Sequence, residues 1–455
     1  MKLTAALLLG FGLVSLTTAV SAQSAPAPAP STSPSPSLID LETALRLAGA
    51  KSLDVELSRE RLNEARAVES SVRSRYFPWV SPSLTYRRHD GKIQDVVGNI
   101  LETGKYSYAP TLGAIAQLDL GDTIYKSRSA KESVAAASFG LAANVQDAVL
   151  RAALAYFDLA AEQSLVEVAR ESLRISTDYS EELRQAVEIG IATEVEAIRA
   201  RIQGQRNELS LEQAIDRRRQ ASIRLAFAAR LNPAIELTAA DAALSTITLV
   251  EEDTLVQDLV LQASNANPAL KQGRSLVDAA EALKQGAIQG PLIPTFAAQV
   301  SLGGLGGGRS GIARQFGGAQ DYVATLQWRI GPGGLFDKSR KALADARAQI
   351  TNLGLESRKF EVERHVVEAH ARATSLSRQI RIAERAMALA QDGLKLSRER
   401  KDFAVGAVLE TLQAEQEMTR TRNDYLRAVA EHNKAQYALA RSLGRLTPEG
   451  PLPAR

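Results

Sequence analysis

Apolar positions follow two different rhythms along the chain, and they separate it into helices and strands. Leu150, Leu154, Phe157, Ala161, Leu165, Val168, Ser172 and Ile175 succeed one another by three or four residues. That spacing winds one slowly turning stripe along a helix. No proline interrupts residues 111–232 or 333–447. The spacing predicts long helices at about 125–187 and 336–404, with returning helices at about 192–231 and 408–444. About 60 unbroken residues at about 1.5 Å each make a rod of roughly 90 Å. Rods of that length cannot fold around one compact core, so they are expected to pack side by side in antiparallel pairs.

Four short segments change to a period of two. They fall at about 79–87, 112–120, 294–302 and 322–330. Leu84 and Tyr86 share one face while Ser81, Ser83 and Thr85 take the other. Leu118 and Leu120 oppose Gln117 and Asp119. Phe296, Val300 and Leu302 oppose Gln299 and Ser301, and Leu326, Trp328 and Ile330 oppose Thr325, Gln327 and Arg329. One oily face and one wet face suit a membrane barrel, and equally a half-buried soluble sheet. Trp79 and Trp328 stand at strand ends beside helices, where an interfacial aromatic girdle is expected. Residues 88–108 and 303–321 read as loops joining the strands of each pair, the second glycine-rich.

The punctuation repeats. Pro78 and Pro294 open the two strand pairs, Gly190 and Gly406 break the two helical hairpins, and both pairs are 216 residues apart. The chain therefore divides into two units, 38–246 and 247–446, each a helix, two strands, a very long helix and a returning helix. Four strands per chain cannot close a barrel. Open edges in hydrocarbon cost several kcal/mol per unpaired group, and the smallest bacterial barrels have about eight strands. If the strands cross a membrane, closure needs other copies of the chain.

Residues 1–22 resemble a secretory signal, with Lys2 before a short apolar run and small residues at Val20, Ser21 and Ala22. Residues 23–37 are rich in Pro, Ser and Ala and are expected to form an extended leader. Residues 447–455 are expected to trail off as a tail. Cysteine is absent, so the sequence offers no disulfide, no thiolate metal ligand and no lipid anchor.

Charge excludes other classes. With 55 basic against 52 acidic residues and no clustered basic face, no nucleic-acid partner is expected. His365 and His370 are five apart, so they do not stack as a helical metal pair. The glycine run at 303–308 lacks the Lys of a phosphate-binding loop, and GPGGLF at 331–336 lacks a dinucleotide pattern. No catalytic residue, cofactor or metal is expected.

Several segments, taken in order, resemble the TolC-like outer-membrane efflux proteins over residues 38 to about 446. LIDLETALRLA and LVLQASNANPAL look like the family's two repeat openings. ATLQWRIGPGGLFDKSRKALADARAQ is similar to its strand-to-helix junction. EIGIATEVEAIRAR and AVGAVLETLQAEQ resemble its two helix tips.

The resemblance implies a mainly α fold with membrane β: a homotrimer closing a 12-stranded barrel over an α-helical periplasmic tunnel. It implies the outer membrane of a Gram-negative bacterium and an exit duct for a tripartite efflux or type I secretion system. The partners it implies are a periplasmic membrane-fusion adaptor, an inner-membrane pump and outer-membrane lipid. Ile189, Gly190 and Ile191 in one tip, with Val405, Gly406 and Ala407 in the other, would meet the adaptor. Glu410 and Gln413 fall where the family narrows its periplasmic mouth with acids. The segment before Glu410 is two residues shorter than the family's, and Gln413 stands where a second acid is common. Leu84, Tyr86, Leu118, Leu120, Phe296, Val300, Leu302, Leu326, Trp328 and Ile330 would face lipid. The competing reading is a periplasmic coiled-coil adaptor or scaffold that forms no pore.

Overall fold

A computed structural model of the chain describes residues 37–240, 244–309, 315–402 and 408–452. The expected signal, most of the leader and the second helix tip at Val405, Gly406 and Ala407 lie outside the described residues.

Strand β1 (Ser37–Ile39) leads into α1 (Leu41–Lys51) and α2 (Leu53–Ser74). Strands β2 (Trp79–Gln94) and β3 (Ile100–Leu118) follow, then the long helix α3 (Leu120–Glu188) and its return α4 (Glu194–Ala228). Short β4 (Leu237–Ala239) pairs in parallel with β1. The order then recurs as α5 (Val256–Ala266), α6 (Pro268–Gln289), β5 (Thr295–Arg309), β6 (Gln315–Gln327), α7 (Lys338–Asp402) and α8 (Val408–Ser442). A small hairpin, β7 (Leu446–Thr447) and β8 (Gly450–Pro451), follows. Corresponding elements match in length: α1 and α5 have 11 residues, α2 and α6 have 22, α4 and α8 have 35.

Each long helix begins on an aspartate. The Asp119 carboxylate accepts from the Asp122 amide at 3.1 Å, and Asp337 accepts from Arg340 and Gly333 at 2.9 and 2.7 Å. Such caps satisfy amides that a helix start leaves unpaired. The helices then run until the chain must reverse. α3 lies among α2, α4, α6 and α8, whereas α7 packs on α5, α6 and α8.

The two cores sit at corresponding heights. One joins Val149, Ala152, Tyr156 and Leu159 of α3 to Leu45 of α1, Leu225 of α4 and Leu237 of β4. The other joins Val362 and Val366 of α7 to Leu259 of α5, Leu270 of α6 and Leu439 of α8. Alanines at 148, 152, 153 and 160 let the helix axes approach closely, which explains the alanine richness of the sequence. Between the cores, α8 grips the connecting segment. Asn433 accepts from the Ile247 amide at 2.8 Å, and Gln436 accepts from Leu249 and Val250 at 3.1 Å each.

Strands are longer at their outer ends than expected. Residues 88–94 and 100–108, expected as loop, extend β2 and β3, and the expected 303–321 loop is strand on both sides of residues 310–314. Alternation of apolar with polar residues finds only strands with one oily face, and here that face turns charged at Arg88, Asp90 and Lys92. At the inner ends the correction is opposite. Leu120 is the first residue of α3, not a strand residue. Trp328 and Ile330 follow β6, with Ile330 in an isolated bridge to Leu335. Ser37, expected in the leader, opens β1. The expected tail instead begins as the β7–β8 hairpin, with Leu446 buried in the first core. Among the described residues no helix is long and apolar enough to cross a membrane.

Candidate membrane-facing sheet and helix tips

The four long strands form a single antiparallel sheet in the order β2, β3, β5, β6. Directly paired residues of an antiparallel sheet share a face, so the register assigns every side chain to one of two surfaces. On one surface Val80, Pro82, Leu84 and Tyr86 pair with Ala114, Leu112, Pro110 and Tyr108. Leu112, Ala114, Ala116 and Leu118 pair with Leu302, Val300, Ala298 and Phe296, which in turn meet Gln320, Tyr322, Ala324 and Leu326. Between the Tyr86 and Phe296 rows this surface holds a single polar side chain apart from the tyrosines, Gln320. Seven of the expected lipid-facing residues thus share it: Leu84, Tyr86, Leu118, Phe296, Val300, Leu302 and Leu326.

Much of this oily surface is open. Leu84 is 76% exposed, and Tyr86, Leu112, Tyr322 and Leu326 are also exposed. Tyr108 stacks on Phe316 with ring centroids 5.9 Å apart, forming an aromatic edge beside Tyr86. At the opposite edge Phe296 and Leu326 lead to Trp328, whose indole Nε1 donates to the Leu292 carbonyl at 3.4 Å. Trp79 does not join either edge: it pairs in register with Ile115 and takes the other, polar surface. Expectation from chain position alone missed this, because a one-residue step in a strand changes the face. The polar surface carries Ser81, Ser83, Thr85, Thr111, Gln117, Gln299, Ser301, Thr325 and Gln327. Ser83 and Thr111 share a hydroxyl hydrogen bond of 2.7 Å there. The outer edges of β2 and β6 have no partner strand among the described residues.

At the far end of the helices, the first tip is a helix reversal held by its own backbone. Gly190 has φ +78, and the amides of Ile191 and Gly190 donate to Ala186 and Val187 at 2.8 and 3.0 Å. This left-handed C-cap is where glycine is least costly. Thr193 then starts α4 with a reciprocal cap: the Glu196 amide donates to its hydroxyl, and Glu196 accepts from the Thr193 amide at 2.9 Å. Ile189, Ile191 and Val195 are left exposed around the turn.

The two hairpins meet just behind this tip. Leu412 of α8 packs against Tyr179, Leu183 and Ala200 of the first hairpin. Gln416 Nε2 donates to Gln203 at 2.7 Å, and Arg398 of α7 pairs with Glu415. Tyr179 is buried beside Thr411 and lines a cleft of about 290 Å³; burial pushes its phenol up to about 12. Glu410 is half-exposed and pairs with Arg400 at 2.7 Å, so its charge is already answered within the chain. Gln413 is exposed one turn on. The fold thus brings Ile189, Gly190 and Ile191 to the same end as Glu410 and Gln413. Among the described residues there is no group of three or more His, Cys, Asp or Glu able to hold a metal.

This combination, a one-sidedly oily sheet rooted in paired helices far too long for a compact domain, is a fold shared with solved outer-membrane channels. Solved structures of that class superpose on the chain. The outer membrane protein VceC of Vibrio cholerae does so at TM-score 0.74 and 17% identity, covering 89% of this chain and 96% of its own. The outer membrane channel MtrE of Neisseria gonorrhoeae, in its open state, gives 0.73 at 19% over 89% and 88%. The CmeC outer membrane channel of Campylobacter jejuni gives 0.73 at 14% over 90% and 86%. No curated protein matches the sequence. Residues 44–229 match the family described as outer membrane efflux protein. The chain is thus TolC-like in fold, and over residues 44–229 it carries the outer membrane efflux protein sequence pattern.

Proposed function

We propose that the protein is the outer-membrane exit duct of a tripartite efflux or type I secretion system. Three copies contribute four strands each to one barrel, and their long helices continue it as a tunnel through the periplasm. The observation that carries this reading is the sheet: one face oily throughout the membrane band, the other mainly polar, and both edges unpaired among the described residues. From Tyr108 to Leu118 the strand rises about 33 Å at roughly 3.3 Å per residue. Tilted by about 40°, it crosses about 25 Å, the height of the apolar band of outer-membrane barrels. A soluble sheet has no reason to show this height on a largely open face, because several hundred Å² of open apolar surface promotes association.

The work of export belongs to the pump; the duct supplies a wet path through oil and no catalysis. A periplasmic adaptor meets the exposed Ile189 and Ile191 around Gly190, together with Val405, Gly406 and Ala407 of the second hairpin. Glu410 and Gln413 border the periplasmic mouth. Because Glu410 is paired with Arg400, it contributes little net charge to that opening.

Membrane fractionation and reconstitution test the reading. Recovery in outer membranes as an oligomer that heat dissociates, with stepwise conductance in planar bilayers, is the expected result. Recovery as a soluble periplasmic monomer without conductance defeats it in favour of an adaptor or scaffold that forms no pore.

A further inference from the structure

The same register that separates oil from water also separates the charges of the outer half of the sheet. On the surface continuous with the oily band, Arg88 pairs with Asp90 at 2.7 Å, and Lys92 lies opposite Glu102. Two cations meet two anions there, and the sum is zero. On the polar surface the balance is different. Arg87 sits in a row with Ser107 and Gly307, and the next row outward holds His89 and Lys105 in direct register. Among the described strand residues the polar surface has one acid, Asp321, opposite Ser301.

Asp321 cannot neutralise this belt. Ser301, the partner of Asp321, and Gly307, in the Arg87 row, are six residues apart on β5, about 20 Å along an extended strand. That exceeds the screening length of about 10 Å at 0.1 M salt. Among the described residues neither Arg87 nor Lys105 has a carboxylate within ion-pair distance, and both side chains are exposed. The neighbours of Arg87 in its row, Ser107 and Gly307, are small, so nothing there covers its guanidinium. Alternation on β2 therefore directs Arg87 to one surface and Arg88 to the other, and only the second is answered by acid.

We propose that Arg87 and Lys105 form a cationic belt on the wet wall of the barrel near its outer mouth, which makes the duct prefer anions. The proposal rests on the pore reading above. Within a pore, one such belt per copy surrounds the solute, and low-dielectric walls focus its potential along the axis. Small organic anions, carboxylates and phosphates among them, leave through it more readily than cations of equal size.

The test uses the full-length protein reconstituted in planar bilayers, with potassium chloride as the probe. Under a tenfold salt gradient around 0.1 M, the reversal potential is expected to have the sign of chloride preference and to fade at 1 M, where screening acts within about 3 Å. Arg87→Gln with Lys105→Gln lowers the chloride-to-potassium permeability ratio roughly threefold or more, as expected for removing an unscreened wall charge. Each single variant shifts it part of the way and replaces the double variant if that fails to assemble. Arg88→Gln with Lys92→Gln, on the oily side of the same strand, leaves the ratio unchanged. Pores that prefer potassium, or that ignore the Arg87 and Lys105 changes, overturn the proposal, as does an equal shift from Arg88 and Lys92. Absence of any conductance overturns the pore reading itself.

Discussion

The two long helices are nearly equal in length, 69 and 65 residues, yet they lead different lives. α3 is enclosed, with Val149, Ala152, Tyr156, Phe157 and Leu159 at or below 2% exposure. α7 presents Leu343, Ile350, Leu353, Phe360, Val367, Ile382, Leu389 and Leu396 to solvent. Much of that stripe advances by three or seven residues, the spacing of a helix seam that packs on another helix. α4 carries a second open stripe, Val195, Ile198, Ile202 and Leu209, with steps of three, four and seven. The unpaired edges of β2 and β6 tell the same story one storey up. The difference teaches that corresponding elements have been placed unequally: α3 is central in the chain, and α7 is exposed along its side.

The sharpest way to break that comparison is to truncate one aromatic from each helix. Phe157, 2% exposed and packed on Tyr156 and Tyr437, is expected to cost about 3–5 kcal/mol as Phe157→Ala, read as a fall in the denaturation midpoint. Phe360, 70% exposed, is expected to cost within about 0.5 kcal/mol in the isolated protomer. Its cost should fall on assembly instead: Phe360→Asp loses the oligomer on size exclusion while helical circular dichroism persists. A folded trimer from Phe360→Asp would mean that the α7 stripe is not a seam.

Left-handed glycines sharpen the comparison at smaller scale. Gly444 and Gly190 both end helices at positive φ. A Cβ on Gly444 would come within 2.8 Å of the Asn267 backbone, whereas nothing lies within 4 Å at Gly190. Gly444→Ala is therefore expected to cost about 2–3 kcal/mol, strain plus overpacking. Gly190→Ala should cost about 1 kcal/mol from strain alone. Thermal melts of the two variants decide it. Equal costs would show that the backbone around Asn267 yields.

The smallest expected effect is one of pH, confined to the second repeat. His432 is 4% exposed, and among the described residues neither ring nitrogen has a partner. Burial holds its pKa below the usual value, opposed by the Glu252 carboxylate. Glu252 is itself held low by a hydrogen bond from Ser377 and by Arg381. Both folded-state values are depressed, so both contributions are present at neutral pH. The histidine's is lost as pH falls below about 6.5, and the glutamate's as pH falls below about 4.5. Melting temperature is expected to drop by a few degrees from pH 7 to pH 5. His432→Leu should flatten that slope, and an unchanged slope would place the acid-sensitive groups elsewhere.

Much of this architecture was legible in the residues. The three-and-four spacing through Leu150, Phe157 and Leu165 marks a helix, and the repeated Pro and Gly landmarks point to a repeated order of elements. Alternation puts Leu84 with Tyr86 on one face of their strand and Phe296 with Leu302 on one face of theirs; only the register joins the two. Arg88, Asp90 and Lys92 hide the outer strand halves, because charge beyond the oily rows erases the apolar signal without ending the strand. Leu120 and Trp328 were read as strand because a helix cap at Asp119, and the Gly331 to Asp337 turn, cannot be separated from alternation over two residues. The bond between Glu410 and Arg400 joins side chains ten residues apart across the tip, which no local pattern reports.

Local rhythm thus determined the identity of the elements, since a helix and a strand are each set by the spacing at which apolar side chains fall on one side. What lies beside what was decided in three dimensions. The enclosure of α3, the exposure of α7, the polar face of Trp79 and the cationic wall at Arg87 and Lys105 all depend on register and packing. Those are settled by contacts between residues tens to hundreds of positions apart, whose energies no window along the chain contains.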